Sequence, residues 1–242
     1  SVQNYHFQDL VDYPRSAEKV ADNPGRRKRA APACTSAIGV KDPDAAVRDM
    51  VELTRAAKQF GAEQIFSSAA SPGVISLFFG NEHYATREEY VFAIAEAMRH
   101  EYEAIAAAGA TLQLDCPDLA MGRHIQYSDL DVKEFRKRIE LHIEAFNHAT
   151  SGVRPEQLRM HVCWGNYEGP HHCDVPLADI VILKTLVRDL PEVIQCGAGG
   201  TSPCGDGDGS SSVKNSREGA SSPALNDWSA DRVANGAFSP GL

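Results

Sequence analysis

An α/β fold built on parallel strands is what the 242-residue sequence predicts, on two observations. Short strand-like runs begin near residues 64, 111 and 158, a spacing of about 47, and the intervals between them carry amphipathic helical patterns. Strands that precede such helices pair in parallel, because each helix returns the chain to the same edge of the sheet. Both a (β/α)8 barrel and an open doubly wound sheet fit that pattern. Eight units at this spacing would need roughly 376 residues, and at most five strands precede residue 196. The expectation is therefore part of a (β/α)8 TIM barrel, parallel strands with outer helices, followed by a disordered C-terminal tail.

The elements follow in order. Residues 32–38 (PACTSAI) form a weak strand, and Asp42-Pro43 then suit a helix start, with Asp42 as cap and Pro43 in the first turn. Val47, Met50 and Val51 give that helix an apolar side, and Gly61 is a good stop. Residues 64–68 (QIFSS) are a strand that opens into a loop at Ser71-Pro72-Gly73. Thr86 and Glu89 make a capping box before the longest helix, about 87–108, whose apolar positions recur at three and four. Gly109 ends it. The strand 111–115 (TLQLD) is broken by Pro117. Asp131 and Glu134 cap a helix over about 132–150, with Phe135, Ile139, Ile143 and Phe146 on its inner face, closed by Gly152. The strand 158–163 (LRMHVC), a helix at 177–189 and a short strand at 193–195 complete the series.

Composition bounds the function. Lys and Arg total 24 against 33 Asp and Glu, a formal net charge of -9, which argues against a general nucleic-acid binder. No apolar run reaches the roughly 20 residues of a membrane span, and the first residues lack the basic start and apolar core of a signal peptide. Six irregularly spaced cysteines do not form a disulfide scaffold. A soluble, cytoplasmic protein is expected, without membrane or nucleic-acid partners. The chain divides into a lead-in at 1–29, a partial barrel at 30–195 and a tail at 196–242. The tail holds nine Gly, nine Ser and three Pro in 47 residues with no sustained period, a composition that cannot bury enough apolar surface to offset backbone ordering.

Functional groups in parallel α/β architectures gather at the C-terminal strand ends. His161 and Cys163 lie two apart on one strand, so both point to one face, and imidazole nitrogen with thiolate sulfur suits zinc. The alternative is a half-buried His beside a core Cys. Asp115, at the end of the preceding strand, can hold a substrate ammonium or cap the next turn. His171, His172 and Cys173 read equally as further metal ligands or plain loop. Glu82 and His83 read as surface, and Arg26 to Arg29 as a solvated basic loop rather than a phosphate patch.

Five segments carry a resemblance: SPGVI (71–75), NEHY (81–84), EEYVFAIAEAMRHEY (88–102), GATLQLDCPDLA (109–120) and HVCWGNYEGPHHCDVPLADIV (161–181). In order and spacing they resemble the cobalamin-independent methionine synthase family, in particular its short members that match the C-terminal catalytic half. The resemblance covers roughly residues 30–181. It implies a (β/α)8 barrel with zinc at its C-terminal mouth, and methyl transfer from 5-methyltetrahydrofolate, usually polyglutamylated, to the thiol of homocysteine. It implies zinc ligation by His161 and Cys163, and a role for Asp115 in holding the amino group of homocysteine.

Beyond Val181 the chain departs from the family pattern. A strand bearing a ligand Glu and a last ligand Cys before Gly are expected there. Glu192 lies at about the right distance for the first, Cys204 precedes Gly205 as the second does, and Cys173 is a nearer substitute. The change of composition reads as a frame-shifted or truncated product. Two other functions stay open: a related zinc-dependent thiol alkyltransferase of the epoxyalkane:coenzyme M transferase type, and an inactive partial barrel. An incomplete parallel sheet would also expose an edge through which copies self-associate.

Overall fold

The computed structural model describes residues 8–15, 18, 32–165, 172–176, 179–180 and 192–196. Apart from Cys196, the tail expected at 196–242 lies outside these residues, as do most of the lead-in at 1–29 and most of the helix expected at 177–189. In chain order the elements are α1 (Gln8–Asp12), β1 (Ala33–Cys34), α2 (Ala45–Phe60), β2 (Phe66–Ala70), α3 (Pro72–Phe78), β3 (Gly80–Asn81), α4 (Arg87–Ala107), β4 (Thr111–Asp115), α5 (Gly122–Ile125), α6 (Val132–Ala149), β5 (Leu158–Cys163) and β6 (Glu192–Cys196).

Strands β2, β4, β5 and β6 form one parallel sheet in that order, while β1 and β3 pair separately, also in parallel. Sequential parallel neighbours with helices between them are what part of a barrel contains; no closed barrel is present among the described residues. None of the described helices is long and apolar enough to cross a membrane.

Local chemistry explains most boundaries. At α4 the Thr86 hydroxyl accepts from the Glu89 N–H at 3.1 Å and the Glu89 carboxylate accepts from the Thr86 N–H at 3.3 Å, a reciprocal capping box. At α6 the Asp131 carboxylate accepts from the Glu134 N–H at 2.8 Å. Gly61 and Gly109 take φ of 67° and 79°, values costly for any side chain, and reverse the chain after α2 and α4.

Three expectations are corrected. Helix α2 begins at Ala45 with Asp44 in the cap position, because the Asp42 carboxylate instead accepts from the Asp44 N–H at 3.2 Å and pairs with Arg48. The first strand of the sheet runs two residues later than 64–68. The Ser71-Pro72-Gly73 loop is the start of helix α3: Ser71 caps it by accepting from the Val74 N–H at 3.1 Å, and Pro72 occupies the first turn.

The core lies between the sheet and α4 and α6. Burial alternates along β4 and β5, so Leu112, Leu114, Met160 and Val162 face the helices while Gln113, Asp115, His161 and Cys163 face the other way. Tyr90, Ile94, Met98, Tyr102 and Ile105 of α4 and Phe135, Ile139, Ile143 and Phe146 of α6 fill the space behind the strands. Each such side chain contributes roughly 1.5–3 kcal/mol on burial. The two buried tyrosines also keep their hydroxyls bonded, Tyr90 donating to the Phe79 carbonyl at 2.9 Å and Tyr102 to the Ala70 carbonyl at 2.6 Å.

One polar network crosses this core. Asp118 and His142 are both about 1% exposed and meet through Oδ2 and Nδ1 at 2.8 Å. Ser71 donates its hydroxyl to Asp118 Oδ1 at 2.9 Å, and Arg87 Nη2 lies 3.0 Å from His142 Nε2. Arg87 can only donate, so Nε2 accepts and Nδ1 carries the hydrogen that Asp118 receives. Gly73 passes so close that a Cβ there would stand 2.0 Å from Asp118 Oδ2 and 2.8 Å from His142 Nδ1.

Two outcomes follow from this packing. Gly73→Ala forces the buried pair apart and is expected to lower the unfolding free energy by about 3 kcal/mol, measured by urea denaturation. Glu101, half-buried in α4, has its pKa pushed up by burial to about 7 from 4.5. The unfolded chain ionises this group first, so stability falls as pH rises from about 4.5 to about 7. Glu101→Gln is expected to flatten that part of the stability profile.

Candidate metal centre

The C-terminal ends of β2, β4 and β5 are held in a fixed stagger. Beyond the strands themselves, the Ser71 N–H donates to the Asp115 carbonyl at 3.1 Å and the Cys116 N–H to the His161 carbonyl at 2.8 Å. Asp115 and His161 are partners in the β4–β5 register, and their side chains share the face turned away from the helices. Cys163, two residues on, shares it too.

Asp115 Oδ1 accepts from His161 Nδ1 at 3.0 Å and from Gln113 Nε2 at 3.2 Å; that amide also donates to the Ser68 hydroxyl at 3.3 Å. A ladder of polar groups thus crosses three strands and fixes the imidazole. The neighbouring Asp115 carboxylate and, after it, Cys163 push the His161 pKa up to about 10, against an opposing effect of burial.

His161 Nε2 is buried and makes no hydrogen bond among the described residues. A buried ring nitrogen left in this way loses its solvation without recompense. With Nδ1 bonded to a carboxylate, the ring has the arrangement that metal-binding histidines adopt once Nε2 gives up its proton to the metal. The half-buried thiol of Cys163 is available on the same face. These two donors, one imidazole nitrogen and one sulfur, fit zinc.

The structure brings together Asp115, His161 and Cys163. Cys173 joins Asp12 and His172 in a separate group. Glu192 opens β6 and is in register with Arg159, four residues along the ladder from the level of Cys163, where Cys196 is the partner. Cys204 lies outside the described residues. Gln113, which steadies Asp115, escaped the sequence reading; its i, i+2 relation to Asp115 on a strand is the signal that could have found it.

Comparison with known proteins gives partial matches. The chain is 31% identical over 97 residues to a protein named methionine synthase from Thermococcus kodakarensis, a match covering 40% of this chain and 25% of that protein. It is 29% identical over 117 residues to methionine synthase of Saccharolobus solfataricus, covering 48% of this chain and 31% of the relative. It is 34% identical over 84 residues to 5-methyltetrahydropteroyltriglutamate–homocysteine methyltransferase of Bacillus cytotoxicus, covering 34% and 10%. The chain therefore matches less than a third of the length of each of these relatives. No family model matches it, and no solved structure does.

The four described thiols differ in reactivity. Cys34 and Cys116 are 0% and 1% exposed, and burial raises the pKa of both, that of Cys116 far above the ordinary value. Cys163 and Cys173 are half-buried. Brief alkylation of the native metal-free chain is expected to label Cys163 and Cys173 and to spare Cys34 and Cys116, read by peptide mass spectrometry.

Proposed function

We propose that this chain is a methyltransferase of the cobalamin-independent methionine synthase kind, its substrates homocysteine and 5-methyltetrahydrofolate in polyglutamate form. The observation that carries this reading is the buried Nε2 of His161, without a hydrogen bond among the described residues, on a ring fixed by Asp115 and beside Cys163 at the C-terminal ends of parallel strands. The named relatives support the same chemistry.

His161 and Cys163 would hold zinc. When bound, zinc supplies a Lewis acid that keeps the acceptor sulfur as a nucleophilic thiolate at neutral pH. Asp115 has two tasks. Its Oδ1 orients the His161 ring, and Oδ2 accepts no hydrogen bond among the described residues, which leaves it to receive the ammonium of homocysteine. Gln113 keeps the carboxylate in one rotamer while it does so. The net reaction forms a sulfur–methyl bond and breaks the methyl–N5 bond of the folate, the thiol giving up a proton and N5 taking one up. In it Asp115 contributes proximity and orientation, not proton transfer.

A carboxylate at this place favours an acceptor that carries an ammonium group, which sets homocysteine above the sulfonate-bearing thiol of an epoxyalkane:coenzyme M transferase. The test combines zinc content by elemental analysis with methionine formation from homocysteine and 5-methyltetrahydropteroyltriglutamate. Cys163→Ala is expected to remove about one zinc per chain and to abolish methionine formation. Asp115→Asn is expected to weaken zinc binding by about 10–100-fold and to raise the KM for homocysteine. Wild-type chain whose zinc content equals that of Cys163→Ala, with no methionine formed, would sink the proposal in favour of an inactive partial barrel.

A further inference from the structure

A second group of metal-binding side chains lies outside the centre just described. Asp12, at the end of α1, meets His172 and Cys173 from the segment after β5, across a separation of 160 residues. One donor atom of each lies within 4.8 Å of the others. Asp12 Oδ2 is 2.8 Å from His172 Nε2 and 3.9 Å from Cys173 Sγ. In a tetrahedral zinc site with bonds of 2.0–2.3 Å, donor atoms stand about 3.3–3.8 Å apart. The three atoms need shift by no more than about 1 Å to meet that spacing.

Their surroundings hold them in place. Gln8 donates to the other oxygen of Asp12 at 2.9 Å, which turns Oδ2 toward His172. The ring of Tyr13 meets that of His172 edge-on, with centroids 5.1 Å apart. Next to Cys173, Asp174 Oδ1 lies 3.8 Å from Nδ1 of the fully buried His124 of α5. Val175 is 4% exposed, and its carbonyl accepts from the Trp164 indole at 2.8 Å. Helix α1 packs on α5 as well. One short helix thus positions both halves of the group.

We propose that Asp12, His172 and Cys173 form a second zinc-class cation site, independent of His161 and Cys163, that clasps α1 to the segment after β5. A carboxylate, an imidazole and a thiolate select a borderline-soft divalent ion over calcium or magnesium. Three ligands among the described residues leave a fourth position for water or a further donor. The site lies at the surface, with the His172 and Asp12 side chains 33% and 39% exposed, so the ion exchanges readily with solvent.

The experiment is cobalt(II) titration of the purified full chain, followed by the near-ultraviolet thiolate-to-cobalt band, with zinc content measured in parallel. Cys173→Ser and Asp12→Asn are each expected to lose about one equivalent of metal relative to wild type. Cys163→Ala should retain the equivalent that they lose, and the double change Cys163→Ala with Cys173→Ser should abolish the band. Asp12→Asn alters only a surface side chain, so a cooperative thermal melt in chelator confirms that its loss of metal is not a loss of fold. Unchanged stoichiometry in both Cys173→Ser and Asp12→Asn overturns the proposal. Failure of the His161–Cys163 reading would show separately, as unchanged metal content in Cys163→Ala.

Discussion

The buried carboxylate of Asp118 ties together the elements on which the candidate centre stands. It receives the hydroxyl of Ser71 at the end of β2 and the imidazole of His142 in α6, whose far nitrogen is held by Arg87 from α4. A charge removed from water is tolerable only with such partners. Ser71 in turn extends the backbone ladder to the Asp115 carbonyl, and Asp115 fixes His161. A continuous set of hydrogen bonds therefore runs from the helical layer, through a strand end, to the imidazole ring. The glycine at position 73 is what lets α3 come close enough to complete it.

Much of this architecture is legible in the sequence because it is set by local rules. The capping residues Thr86 and Asp131 act on amides three residues away, and both starts lie where the sequence places them. Strands β4 and β5 match their expected ranges, since their apolar alternation and flanking turns are local too. Helix α3 escaped because its residues Pro72 to Leu77 are buried all round, which leaves no amphipathic period to read. Its Ser-Pro-Gly start is compatible with a turn and with a capped helix alike.

The candidate centre divides in the same way. His161 and Cys163 are visible as a pair because a strand places residues two apart on one side. The bond between Asp115 and His161 spans 46 residues and depends on register, which no local pattern reports. The Asp118–His142 pair, 24 residues apart, is equally hidden. His172 and Cys173 stand out by residue type, yet their partner Asp12 is 160 residues away and could be found only in the folded chain.

The alternation along β4 and β5 has a consequence for how this chain could diversify. Leu112, Leu114, Met160 and Val162 answer to the packed helices, whereas Gln113, Asp115, His161 and Cys163 answer to whatever enters from the open side. Adjacent codons thus serve different masters. Substitutions at the second set can exchange one metal-binding or substrate-binding repertoire for another without disturbing the layer that holds the strands in register. Selection for new chemistry and selection for folding act here on interleaved but separable positions, which makes the sheet an adaptable platform.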